Sequence, residues 1–170
     1  FSPAYGDTDA SPDDFQFSTL NSGGCSPGVP VRVQIDIYYP LAPNTPALPH
    51  EWVDMGFSFL PAMKTPRVAW AGQFVTITYA VSSDETCEGM PVHFVRPKGQ
   101  PGSFMAGPGI ELRGPDHAVG DFGTSCSTSV VYESEDQGEV DVEVFIENNP
   151  YSKVAFPIFY LLFEDVLLES

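Results

Sequence analysis

The residues in this 170-residue chain that could do chemistry are three histidines, three cysteines and 23 carboxylates. His50-Glu51 opens like a zinc-protease helix motif, but position 54 is Asp54, so the second histidine ligand is missing and the motif fails. Asp116-His117 with Asp121 and Ser125 or Ser127 can be drawn as a catalytic triad. No strand-turn-helix nucleophile elbow accompanies them, and the segment is a run of small residues. The expectation is a solvated loop histidine. His93 falls within a strand pattern, where a surface or cross-strand role is expected rather than a ligand role. No catalytic residues are assigned and no enzyme is expected.

The carboxylates cluster. Glu133, Glu135, Asp136 and Asp141 form one acidic group; Asp84, Glu85 and Glu88 form another. Oxygen ligands in a negative field suit calcium, so Asp84, Glu85, Glu135 and Asp136 are weak calcium candidates. The spacing of Asp7, Asp9, Asp13 and Asp14 is loosely that of a calcium loop, without its glycine or its closing glutamate. No cofactor is otherwise expected. Cys25, Cys87 and Cys126 are an odd count with no zinc spacing. Two of them could form one disulfide, the third being free or bonded elsewhere, and secretion is compatible with that.

A net charge of −16 argues against nucleic acid and anionic membranes as partners. Solubility charge is the plainest account of it. No run is long enough to span a bilayer, and no basic leader precedes an apolar segment, so a soluble chain with neither anchor nor signal is expected. Hydrophobic content of 42% suffices for a core. With 13% aromatics, 17 prolines and few windows of helical period, the class is all-β.

The elements that must position these residues are strands. In Gly138 to Glu147, Val140, Val142, Val144 and Ile146 share one side, opposite Glu139, Asp141, Glu143 and Glu147. Phe145 breaks the wet side, which leaves that face able to meet another surface. Val31 to Tyr39 alternates in the same way, with Val31, Val33, Ile35 and Ile37 together. Phe74 to Val81 places Val75, Ile77, Tyr79 and Val81 inward. Shorter strands are expected at 67–70, 92–96, 110–112 and 127–133, with a weaker one inside 51–60. Three stretches read as connections: PLAPNTPALP, PKGQPGSFMAGPG and GPDHAVGDFGTS. From Val154 on, β-branched and aromatic residues favour a strand, and Pro157 places it at an edge or a bulge. Residues 1–14 read as a flexible acidic tail, 15–62 as an N-terminal β segment and 63–170 as the main sandwich. The N-terminal segment is either a partial second sandwich or strands added to the first.

Two stretches carry a resemblance. Gly72-Gln73-Phe74-Val75-Thr76-Ile77-Thr78-Tyr79 is similar to the entry of an immunoglobulin second strand, with Tyr79 where that family often has cysteine. Asp136-Gln137-Gly138-Glu139-Val140-Asp141-Val142 resembles the corner leading into the sixth strand, with Val140 for the tyrosine and Val142 for the second cysteine. The absent bridge and the absent tryptophan make it look more like the bacterial immunoglobulin-like repeats of surface proteins. GMPVHFVRPKGQPG is similar to a strand of those repeats. The resemblance implies an immunoglobulin-like antiparallel sandwich with additional N-terminal strands, and a Cys87–Cys126 disulfide tethering loops, with Cys25 left over.

It further implies an extracellular or cell-surface, non-enzymatic structural or adhesive module. Neighbouring modules or identical subunits would be met through strand edges. Some of Tyr38, Tyr39, Phe145, Tyr151 and Phe159 must fall off the core side if the alternation holds, and these five are the candidate interaction residues. The alternative from another class is a carbohydrate-binding module of a secreted protein, using the same aromatics on glycans.

Overall fold

A computed structural model describes residues 30–39, 42–46, 52–56, 58, 60, 62, 67–81, 88–123 and 126–162. The strands are β1 (Val31–Tyr39), β2 (Ala42–Pro46), β3 (Val53–Gly56), β4 (Arg67–Trp70), β5 (Phe74–Val81), β6 (Pro91–Val95), β7 (Ser103–Met105), β8 (Ile110–Leu112), β9 (His117–Asp121), β10 (Ser127–Glu133), β11 (Gly138–Ile146) and β12 (Asn149–Leu161). They form two six-stranded sheets. The first runs β2-β1-β5-β10-β7, with β3 also on β1; the second runs β4-β12-β11-β6-β9-β8.

Period-two alternation dictates this packing. In β11 the valines at 140, 142 and 144 and Ile146 have no exposed surface, while the residues between them face out. In β5, Val75, Ile77 and Tyr79 are buried just as completely from the opposite sheet. Val33, Ile35, Val130 and Tyr132 join them from the first sheet; Phe94, Val154, Phe156 and Ile158 join them from the second. Side chains of two twisted sheets thus close one core, which hydrophobic burial stabilises.

The strand order defines the subclass. The sequence β1-β5-β10-β7 is the A-B-E-D sheet of an immunoglobulin domain, and β6-β11-β12 is its C-F-G sheet. The fold is an immunoglobulin-like sandwich, widened by β2 and β3 on one sheet and by β4, β8 and β9 on the other. β1 lies along β5 from Val31↔Val81 to Tyr38↔Phe74, so this N-terminal strand shares the core of the main sandwich. Where immunoglobulin domains carry a cysteine, the Tyr79 hydroxyl reaches across and donates to the Ser152 carbonyl of β12. A hydrogen bond between the sheets stands in the place of a covalent one.

Four sequence expectations are corrected. PLAPNTPALP contains β2, which pairs with β1 at Tyr38↔Pro46 and Tyr39↔Ala42. The Gly/Pro-rich run after β6 contains β7, nucleated by Phe104, which sits edge-on to Tyr132 at 4.8 Å between ring centres. His117–Asp121 is a strand, not a connection: β9 lies between β6 and β8. Finally, Pro157 is not on an edge strand, since β12 lies between β11 and β4. On the parallel side the described pairs are Ala62↔Ala155 and Arg67↔Ile158, which differ in register by two residues, and on the other side Pro157 lies opposite Asp141 of β11.

Candidate functional site

The outward face of the second sheet gathers the chemistry-bearing residues. Phe94 and Ala118 point inward, so the alternation turns His93 of β6 and His117 of β9 outward together. His93 Nδ1 lies 2.8 Å from His117 Nε2, and His93 Nε2 lies 2.9 Å from Glu147 Oε1, just past the end of β11. Phe145 covers His93 in a parallel stack, with centroids 5.0 Å apart and planes 4° apart. Lys153 of β12 places its ammonium 5.0 Å from the Phe145 ring centre. Only 7% of His93 is exposed, despite its place on an outer face. Burial first, then the neighbouring His93 and Arg113, hold the His117 imidazole below its ordinary 6.5, against the opposing pull of Asp116 and Glu111.

This corrects the solvated loop histidine expected at 117. Nor is His117 part of a triad: its Nε2 is engaged by another imidazole, and Ser127 lies on β10 in the other sheet. Ser125 and the pair His50-Glu51 lie outside the described residues. His93 takes the expected cross-strand role. The signal for the pair lay in two outward positions of neighbouring strands, which becomes visible only once β9 is known to be a strand.

Beside the histidines, an open groove of about 310 Å³ is lined by Val95, Arg96, Pro97, Asp141, Glu143 and Ala155. Arg96 is buried, and among the described residues no carboxylate pairs with it. Its Nε donates to the Tyr132 hydroxyl at 2.7 Å, Nη1 to the Pro97 carbonyl and Nη2 to the Gly102 carbonyl, also at 2.7 Å. Tyr132 in turn donates to the Pro101 carbonyl. The guanidinium therefore shapes the loop from Pro97 to Gly102 from beneath. On the rim, Gln100 accepts from the Asp141 amide and donates to its carboxylate, both at 2.8 Å. Along β11 the outward acids crowd one another. A hydrogen bond and the charge of Asp141 raise Glu139 above the usual carboxylate range, and burial with Glu135 does the same to Glu133.

Of the four calcium candidates, two are described. Glu135 and Asp136 are exposed in the β10–β11 turn, where the Asp136 amide donates to the Ser134 hydroxyl. Asp84 and Glu85 lie outside the described residues, and no cluster of three metal-ligating side chains occurs among those described. Cys126 is buried at the head of β10 in a left-handed conformation (φ 54°). Cys25 and Cys87 lie outside the described residues, and so therefore does the Cys87–Cys126 bond.

Of the aromatic interaction candidates, Phe145, Tyr151 and Phe159 share the outer face of the second sheet. Tyr151 is exposed; Phe145 and Phe159 are half-buried. Tyr38 and Tyr39 belong to the other sheet, paired with Phe74 and Ala42, and their side chains are not described. Near Phe159 the outer face is more apolar than the pattern foretold. Val68 of β4 stands beside Phe159, and Leu161 beside Trp70; Val68 is 48% exposed and Leu161 40%. Among the described residues no strand covers the far side of β4.

No family model matches the chain, and no curated protein matches it. Among solved structures, it is similar to the D00–D0 domain of intimin, at 12% identity and a TM-score of 0.40, over 66% of this chain and 56% of that one. It is also similar to domains 4 and 5 of the S-layer protein SbsC, at 10% identity and a TM-score of 0.35, over 76% of this chain and 70% of that one. The chain thus spans a little over half the length of the intimin structure it matches. Among the described residues no helix is long and apolar enough to cross a membrane.

Proposed function

We propose that this chain is a non-enzymatic structural module of an extracellular or cell-surface protein, meeting neighbouring modules or identical subunits through its sheet edges. The observation that carries this reading is the β4 edge. An uncapped edge strand presents backbone donors and acceptors, and here exposed Val68 and Leu161 stand beside it on a half-apolar face. A neighbour adding a strand there would bury both side chains and complete the ladder. The carbohydrate-binding alternative draws less support. Phe145, the aromatic nearest the centre of that face, is occupied by His93 on one side and approached by Lys153, so it offers no open platform.

The test is light scattering and electron microscopy of the purified chain, alone and with its adjoining modules, beside a pull-down on polysaccharides. Concentration-dependent association, or capture by the adjoining modules, is expected. A chain that stays monomeric, ignores those modules and binds glycan would overturn the reading.

A further inference from the structure

We infer that His93 and His117 form a one-proton latch that holds the edge hairpin β8–β9 to the second sheet and releases it when a second proton binds. The argument is one of counting hydrogens. At neutral charge, His93 Nε2–H donates to Glu147, so His93 Nδ1 is a bare acceptor. His117 must then carry its hydrogen on Nε2 to make the 2.8 Å contact. A first proton enters at His117 Nδ1, away from the contact. The hydrogen between the rings can then sit on either nitrogen, and the contact survives. A second proton would place N–H against N–H at 2.8 Å, and the contact must break.

The surroundings set the order of these steps. Just past β11, Glu147 bonds directly to His93, and on β11 Glu143 lies opposite Val95. From β12, Lys153 opposes added positive charge across Phe145. On the β8 side, Glu111 faces the pair from opposite Val119, and Arg113 follows it. On β9 itself, Asp116 precedes His117 and Asp121 ends the strand. Glu147 favours the first proton. The second meets the charge of the first together with Arg113. His117 adds a cross-strand side-chain contact to the β6–β9 ladder, and among the described strands β8 pairs only with β9, its Ile110 packed against the core. Opening the latch therefore loosens the sheet edge opposite β4.

The test needs only the wild-type chain: an NMR titration of the imidazole nitrogens from pH 8 to pH 4.5, with backbone hydrogen exchange corrected for its intrinsic pH dependence. Two coupled steps are expected. The first should keep the ring contact and a shared hydrogen. The second should lose both, with protection of the β8 and β9 amides falling about tenfold while that of β11 holds. In Glu147→Gln the first step should move to lower pH, since the carboxylate beside the pair is gone. In His117→Gln, whose amide can donate to or accept from His93 without titrating, the low-pH loss of protection should vanish. Two independent titrations, or loss of β8–β9 protection persisting in His117→Gln, would overturn the inference.

Discussion

Three tyrosines fill the core, at 79, 132 and 160, and none is more than 1% exposed. Their hydroxyls fare differently. Tyr79 donates to the Ser152 carbonyl between the sheets. Tyr132 accepts from Arg96 and donates to Pro101. Tyr160 has a buried hydroxyl with no hydrogen-bond partner among the described residues. Burial pushes the Tyr79 and Tyr160 phenols far above their usual range, so all three are neutral hydroxyls at any ordinary pH. Replacement by phenylalanine keeps the ring and removes one oxygen, which isolates the hydrogen bond. Tyr79→Phe should cost about 1–2 kcal/mol, since the Ser152 carbonyl is left buried. Tyr132→Phe should cost about 2–3 kcal/mol, because one of its bonds is charge-assisted. Tyr160→Phe removes only an unpaired polar atom and should be neutral or stabilising by about 1 kcal/mol. For a domain of this size each kcal/mol is about 2–4 °C in Tm, so calorimetry and urea unfolding resolve the three. A Tyr160→Phe as destabilised as Tyr79→Phe would refute the reasoning, and with it the claim that the Tyr79 hydroxyl ties the sheets.

Other outcomes follow from the same geometry. Gly102 has φ 85°, and a β-carbon there would lie 2.6 Å from the Glu133 carbonyl and 2.8 Å from the Tyr132 ring; Gly102→Ala should cost about 2–4 kcal/mol by urea unfolding. Arg96→Met should cost about 2–4 kcal/mol and raise proteolytic cleavage between Pro97 and Gly102, as three carbonyl and hydroxyl partners lose their donor. With pH, His117, lowered from 6.5, contributes stability that is in place above pH 6.5 and is lost as pH falls below it. Glu133 and Glu139, raised from 4.5, act in the opposite sense, their stabilisation being lost as pH rises through their folded values. Tm should therefore fall from pH 7 to pH 5.5, and His117→Gln should flatten that fall.

The long strands were legible because alternation over eight or nine residues leaves no second reading. Every inward position assigned to β1, β5 and β11 is buried. What escaped was short or built of small residues. β7 carries a single buried apolar residue, Phe104, between Gly102 and Gly107. The inward positions of β9 are Ala118 and Gly120, too small to register as a hydrophobic period. Gly120 is small for a reason, as a β-carbon there would lie 2.8 Å from Thr128 Oγ1 and 2.9 Å from Ile110 Cδ1. The histidine pair was lost with β9, because the spacing of His93 and His117 means nothing until both strands are placed side by side. Pro157 misled as the mark of an edge, since β12 has a strand on each side.

The account turns on whether the β4 edge is a contact surface. Val68 is 48% exposed and is not among the buried core residues, so Val68→Asp should leave Tm within about 1 °C. Sedimentation velocity of wild type and Val68→Asp across concentration, with adjoining modules present, tests it directly. The wild type should associate, more strongly at high salt where its charge of −16 is screened, and Val68→Asp should not. Identical sedimentation of the two chains would contradict it.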